Sequence, residues 1–403
     1  MAEPLIFHID VNSAYLSWEA LELLKQGGQA DLRLIPSAVG GDRATRHGVI
    51  LAKSPLAKRA GVRTGEPVAQ ALKKCPDLVL VPPHHELYSR RSRQFIETLR
   101  RFAPVVEQVS IDEAFADMSG TESLYGSPLR AAALIRDTIF QELGFTVNVG
   151  ISRNKLLAKM ASDFEKPGKI HTLFPEEIPS KMWPLPVEEL YSAGESAARK
   201  LHSLGIHTIG QLAATAPALL RAHMKKQGEL LYDYANGRGD AQVLAEEPDS
   251  KVCGNSTTLS HDVTDPEEAK LILLSLSETV CSRLRAVQKK GSCVTVQMTD
   301  CEFQNRSHQR TVSTATDVTG EVHAIACSLF DALWDGSPLR LLGVSVSHLT
   351  EEAQRQYNMF DMDKYDRLNK LDHAIDSIRE RYGSGAVKRA CFLDAQKKSS
   401  GPS

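Results

Sequence analysis

The apolar positions of this chain fall into two periods that alternate along its first 170 residues. PLIFHIDV at 4–11 is a short continuous apolar run ending in a carboxylate, which predicts a buried strand. Residues 13–26 place Leu16, Ala20, Leu23 and Leu24 on one helical face, and 86–102 repeat that pattern more strongly. Runs at 32–40 and 47–52 are strand-like, and 53–75 hold short helical stretches broken by Gly61 and Pro67. VVEQVSIDEAFAD at 105–117 predicts strand, tight turn, strand. A helix over 127–143, a strand over 145–152 and a helix from 154 follow. This mixture predicts an α+β or α/β core.

After Pro167-Gly168 the pattern changes. Residues 176–240 read as helices with short turns, and 241–256, acidic and then Gly/Asn/Ser-rich, read as a linker. Strand-like segments at 292–300 and 339–349 alternate with helical segments at 266–290 and 320–334, which predicts a second α+β unit. Beyond 350 the chain is polar, with one helix expected at 364–382 and a disordered end, KKSSGPS.

Composition narrows the class. The 403 residues are 42% hydrophobic and 24% charged, which suits several packed cores rather than a disordered chain. The net charge of −2 does not advertise a nucleic-acid binder, so any basic surface must be local. Seven cysteines, none in C-x-x-C spacing, suggest neither a disulfide framework nor a zinc site. Without a signal-like start or an apolar run of about 20 residues, the expectation is a cytoplasmic protein with no membrane association.

Three acids stand out. Asp10 ends the first apolar strand, and Asp112 and Glu113 share the turn SIDEAF. Carboxylates gathered together repel unless cations neutralise them, and oxygen-only sets suit Mg²⁺. Two such ions about 3.5–4 Å apart can clamp the attacking and leaving oxygens of a phosphoryl displacement. Spacing alone does not bring residue 10 to residue 112, and an isolated Asp-Glu usually only caps a turn.

Longer motifs decide between these readings. FHIDVNSAYLSWE at 7–19, VSIDEAFADMSG at 109–120 and VNVGISRNKLLAKMASDFEKPGK at 147–169 resemble, in order, three motifs of the Y-family DNA polymerases. The resemblance runs over about residues 5–350 and is nearest to bacterial polymerase IV, with features of the polymerase V catalytic subunit. It implies a multidomain α+β right hand. Its palm would be 1–10 and 86–175, its small fingers 11–85, its helical thumb 176–240 and its α+β little finger 257–350, followed by a tail over 351–403.

The resemblance also implies roles. Asp10, Asp112 and Glu113, with the Val11 carbonyl, match the ligands of two Mg²⁺ ions. Tyr15 matches the ring that excludes a ribose 2′-hydroxyl, and Lys166 matches a lysine that reaches the triphosphate. In the fingers, Ala52, Pro55 and Lys58 stand where the family often has Thr, Tyr and Arg. Lys58 can meet a phosphate only as a point charge. Residues 43–63 carry six Lys/Arg and no acid.

For primer-template DNA the expected contacts are Lys155, the Ala193-Gly194 hairpin turn, and a stripe of Arg283, Arg285, Lys289, Lys290, Arg306 and Arg310. The 251–350 segment has nine Lys/Arg against eleven Asp/Glu, so that stripe would have to be local. QYNMF at 356–360 resembles a clamp-binding peptide, with Gln356, Met359 and Phe360 as its anchors on a sliding clamp. The implied activity is dNTP addition to a primer 3′-hydroxyl during translesion synthesis, by a monomer without proofreading. A non-catalytic scaffold that binds DNA and clamp is the alternative.

Overall fold

A computed structural model of the chain describes residues 3–41, 48–245, 249–351, 362–383 and 385–392. Its strands are β1 (Ile6–Val11), β2 (Ser37–Gly40), β3 (Ile50–Lys53), β4 (Val79–Val81), β5 (Val105–Gln108), β6 (Glu113–Asp117), β7 (Val147–Ser152), β8 (Ile170–Thr172), β9 (Val252–Val263), β10 (Lys290–Asp300), β11 (Asn305–Thr316) and β12 (Leu339–Thr350). The chain divides into two compact units near residues 247 and 248.

In the first unit a five-stranded sheet runs β5-β6-β1-β7-β8. The apolar run of β1 is explained by its place at the centre, where all six of its residues are buried. Helices cover the sheet. Val68–Lys74 and Pro55–Arg59 instead accompany the small β3-β2-β4 sheet. His85–Leu99 packs Leu87, Tyr88, Phe95, Ile96 and Leu99 into the main core. Pro128–Leu143 has ordinary signals at both ends. The Ser127 hydroxyl accepts from the Arg130 N–H, Pro128 takes the first turn, and Gly144 closes the helix at φ 80°.

Lys155–Asp163 lies unusually close to β7. A methyl placed on Gly150 would sit 2.0 Å from the Ala158 carbonyl oxygen and 2.5 Å from the Ser162 nitrogen, so this approach requires a residue without a side chain. Helices at 195–203, 209–214, 217–224 and 226–235 share a second core, built around Leu201, Ile209, Leu212, Leu220 and Leu231.

In the second unit a sheet of order β11-β10-β12-β9 packs one face on helices Pro266–Ala286 and Thr319–Leu333. Val294, Val296 and Met298 of β10 and Leu342, Val344 and Val346 of β12 fill that core. Two strands depart from the sequence expectation. Residues 252–256, read as linker, begin β9, and β11 was not anticipated. Both are edge strands, whose mixed polar faces lack a clean apolar alternation. Helix Met362–Tyr382 packs on Pro266–Ala286. Among the described residues no helix is long and apolar enough to cross a membrane.

Candidate active site

The antiparallel register of β1 with β6 sets Asp10 directly opposite Glu113. The tight turn between β5 and β6 is closed by the Val109 and Ser110 N–H groups, both donating to the Glu113 carbonyl. It carries Asp112, whose carbonyl accepts from the Val11 N–H at 3.0 Å and whose carboxylate accepts from Ser110 Oγ at 2.7 Å. Sequence distance is thereby cancelled by strand pairing, and Asp10, Val11, Asp112 and Glu113 share one end of the sheet.

Two lysines from the segment after β7 meet these acids. Lys159 Nζ lies 2.5 Å from Glu113 Oε1 and 3.8 Å from Asp10 Oδ2. Lys166 Nζ lies 3.0 Å from Asp10 Oδ1 and 2.8 Å from Asp163 Oδ1. Burial pushes the Asp10 carboxyl up to about 7, against the pull of Lys166 and Lys159. Beneath them His8 is fully buried, with Nδ1 2.8 Å from Ser162 Oγ and its ring 4.8 Å from that of Phe115. Burial, then Lys159 and Lys166, hold its pKa well below the usual histidine value, so it is neutral.

The loop bearing Lys166 is tied down by two buried amides. Asn12 Nδ2 donates to Asn148 Oδ1 at 3.1 Å, and Asn12 Oδ1 accepts from the Gly168 N–H at 2.9 Å. Asn148 Nδ2 donates to the carbonyls of Ser162 and Glu165. Lys159, Asn12 and Asn148 were not singled out from the sequence. A lysine in a helix is usually solvated, and only the clash of acids on β1 and β6 signals that one is needed.

Among the described residues no three His, Cys, Asp or Glu side chains form a ready-made metal cage. The donor set nevertheless fits Mg²⁺, which takes one or two carboxylates and completes its shell with water and phosphate oxygens. Three carboxylates, Asp10, Glu113 and Asp163, share only two ammonium groups here, while Asp112 accepts from the Ser110 hydroxyl.

The other expected positions divide. Tyr15 is half-buried at the start of helix Ala14–Lys25, and burial with the nearby Asp112 charge raises its pKa. Lys58 is exposed in Pro55–Arg59, and it depresses the pKa of half-buried Lys53 after burial does. Two cations so placed repel until an anion lies between them. Ala52 is buried in the main core, and Pro55 follows the Ser54 cap.

Several expected DNA contacts are otherwise engaged. Lys155 Nζ is paired with both Glu107 oxygens, at 3.1 and 3.0 Å, and is not a solvent-facing cation. Ala193 is buried and its N–H donates to the Leu190 carbonyl, which leaves Gly194 as the exposed member of the hairpin pair. Arg285 is buried, donating to Asp376 at 2.6 Å, to the Asp317 carbonyl at 2.7 Å and to Asp372 at 3.3 Å. It is a structural residue, claimed by acids of the following helix.

Arg306 and Arg310 lie opposite Met298 and Val294, on the helix-bearing side of the sheet. Arg306 pairs with Asp335, and Arg310 donates to Ser328. Lys289 pairs with Asp249, and Arg283 is exposed, donating to the Gly254 carbonyl. The open side of the sheet is a trough of uncharged Ser256, Thr295, Gln297, Ser307 and Ser345, with Arg306 also in its lining. Alternation along β10 could have identified it. Gln356, Met359 and Phe360 lie outside the described residues.

Comparison with known proteins identifies the family. Residues 9–163 match the impB/mucB/samB family, and 250–359 match the C-terminal domain of that family. The DNA polymerase IV of Clostridium acetobutylicum is 44% identical over 98% of this chain and 99% of its own. The DNA polymerase IV 2 of Bacillus subtilis is 36% identical over 98% and 96%. A solved Y-family DNA polymerase chimera superposes with a TM-score of 0.74 at 20% identity, covering 86% of this chain and 100% of its own. With an end-of-sheet carboxylate set, a matching fold and full-length relatives, the chain belongs to the impB/mucB/samB family, and with it to the Y-family DNA polymerases of the polymerase IV type.

Proposed function

We propose that the chain performs template-directed translesion synthesis, joining a dNTP to a primer 3′-hydroxyl with loss of pyrophosphate and without proofreading. The observation that supports this most is the register that sets Asp10 against Glu113 and hangs Asp112 on Val11. Two Mg²⁺ ions held by Asp10, Asp112, Glu113 and the Val11 carbonyl would supply charge neutralisation and a more acidic 3′-hydroxyl.

The chain's own residues do the remainder. Lys166, tied by Asn12 and Asn148, stands where a triphosphate oxygen would replace its carboxylate partners. Lys58 and Lys53 would share the outer phosphates as point charges. Tyr15 would lie beneath the sugar and exclude a 2′-hydroxyl by volume. Positioning and charge are what phosphoryl transfer asks of a protein.

Gly194, capping helix Glu195–Ser203, and the polar trough of the β9–β12 sheet would contact the DNA backbone, with Arg306 in its lining and Arg283 as a nearby cation. Such contacts are independent of sequence. The protein would act in the cytoplasm as a monomer, tethered to a sliding clamp through Gln356, Met359 and Phe360. Primer extension with Mg²⁺ on undamaged and abasic templates tests the activity. Extension that stops at the abasic site as completely as that of a replicative enzyme would sink the translesion assignment, and no extension at all would leave a DNA-binding scaffold.

A further inference from the structure

We propose that the ring of Tyr15 is held in its sugar-facing position by a relay of buried Tyr88 and Glu19, closed at the surface by His84, which makes Tyr88 and Glu19 positioning residues for sugar selection. This rests on reading Tyr15 as the ring beneath the sugar.

A ring that selects by volume works only while it cannot swing aside. Tyr15 has two rotatable bonds and is half-buried, so its own helix does not immobilise it. Tyr88, fully buried in helix His85–Leu99, lies nearly parallel to it, with centroids 4.4 Å apart and an interplanar angle of 13°. Trp18, also fully buried, flanks both rings at 6.1 and 6.0 Å. The backing is therefore aromatic and close-packed, with no room behind Tyr15 for a retreat.

Glu19 completes the relay. It sits one turn after Tyr15 on the same helix and is only 6% exposed. Its Oε1 accepts from the Tyr88 hydroxyl at 2.5 Å, and His84 Nδ1 lies 2.9 Å from each of its oxygens. A buried carboxylate is costly unless its oxygens are met by donors. Glu19 belongs to no other ion pair among the described residues and has no place in the carboxylate set at Asp10. Its cost is explained if it fixes Tyr88. Rotating Tyr88 away would strip a desolvated carboxylate of a charge-assisted hydrogen bond, which disfavours the rotated state by about tenfold to a hundredfold. One helix thus carries both the selecting ring and the anchor of the ring that backs it.

The test is the ratio of incorporation efficiencies for matched ribo- and deoxynucleotides, with a melting curve for each variant. Tyr88→Phe keeps the stack and removes the hydroxyl, and Glu19→Ala removes the acceptor. Each is expected to raise the ribo-to-deoxy ratio about threefold to tenfold, with deoxynucleotide efficiency changed less than the ratio. Glu19→Gln, which retains an acceptor oxygen, should restore the wild-type ratio. In a Tyr15→Ala background Tyr88→Phe should add nothing, because there is no ring left to position. A lowered melting temperature with an unchanged ratio in both Tyr88→Phe and Glu19→Ala would reduce the relay to core packing and overturn the proposal. An unchanged ratio in Tyr15→Ala would remove the gate itself, and the relay's role with it.

Discussion

Each unit of the molecule holds a cluster of charges, and the two are composed differently. At the end of β1, three carboxylates, Asp10, Glu113 and Asp163, share two ammonium groups, those of Lys159 and Lys166, and Asp112 is held beside them by the Val11 N–H and the Ser110 hydroxyl. Beneath helix Met362–Tyr382, three carboxylates, Glu278, Asp372 and Asp376, share three guanidinium groups, those of Arg285, Arg379 and Arg389. The second cluster balances, and its planar forks fix each partner's orientation. The first is left negative and is held by flexible point charges that can let go. A buried charge cluster therefore signals a cation-dependent site when its own chain leaves it short of positive charge, and a structural clasp when it does not.

The largest expected effect tests the first cluster. Asp112→Ala should reduce primer extension by at least about a thousandfold, because charge neutralisation at the phosphoryl group is lost. Its melting temperature should hold or rise, since one of several crowded acids is gone. Extension near the native rate would break the assignment of that cluster as catalytic.

Asp372→Ala should do the reverse. Arg285 would keep its burial and lose a partner, a change that costs about 3–5 kcal/mol. Thermal denaturation should show the loss, while the metal dependence of extension at permissive temperature stays native. If the variant melts like the parent, the clasp is ornamental and the comparison fails.

A smaller effect is expected at Lys159. Replacing it with Met leaves Glu113 without its ammonium partner and should lower metal-free stability by about 1–3 kcal/mol. Added Mg²⁺ should then raise the melting temperature more in the variant than in the parent, since the ion no longer displaces a lysine. An equal or smaller Mg²⁺ response would show that Lys159 does not share the cation's place.

The last test is the pH dependence. Asp10 has a folded value of about 7 against an ordinary 3.8. A carboxyl raised on folding contributes stability that is complete below about pH 4 and is lost as pH rises through about 7. Metal-free protein should therefore lose stability across that window, and Asp10→Asn should flatten the slope. An identical profile in the variant would assign the slope to another group.

The same two clusters mark how far the sequence can be read. Asp10, Asp112 and Glu113 were legible because they stand in long motifs and because strand-turn-strand over 105–117 is a local pattern. Lys159 was not, since its partners lie on strands that only pairing brings near. The partners of Arg285 are hidden in the sequence for a related reason. A basic stretch on a helix looks solvent-facing until Asp372 and Asp376, more than eighty residues later, fold over it. Arg306 and Arg310 illustrate a register problem. Their side of the sheet follows from pairing with Met298 and Val294, and an edge strand with polar residues on both faces does not declare that register.

The contact at Gly150 carries this logic to a residue with no charge to contribute. The helix bearing Lys159 rests on β7 where a side chain is missing, and the same helix leads into the loop of Lys166. Any larger residue at 150 would lift that helix and draw both ammonium groups away from Asp10 and Glu113. A methyl group added on the helix-facing side of the strand would act as an electrostatic mutation, tuning the hunger of the acids for cations through a change in height alone.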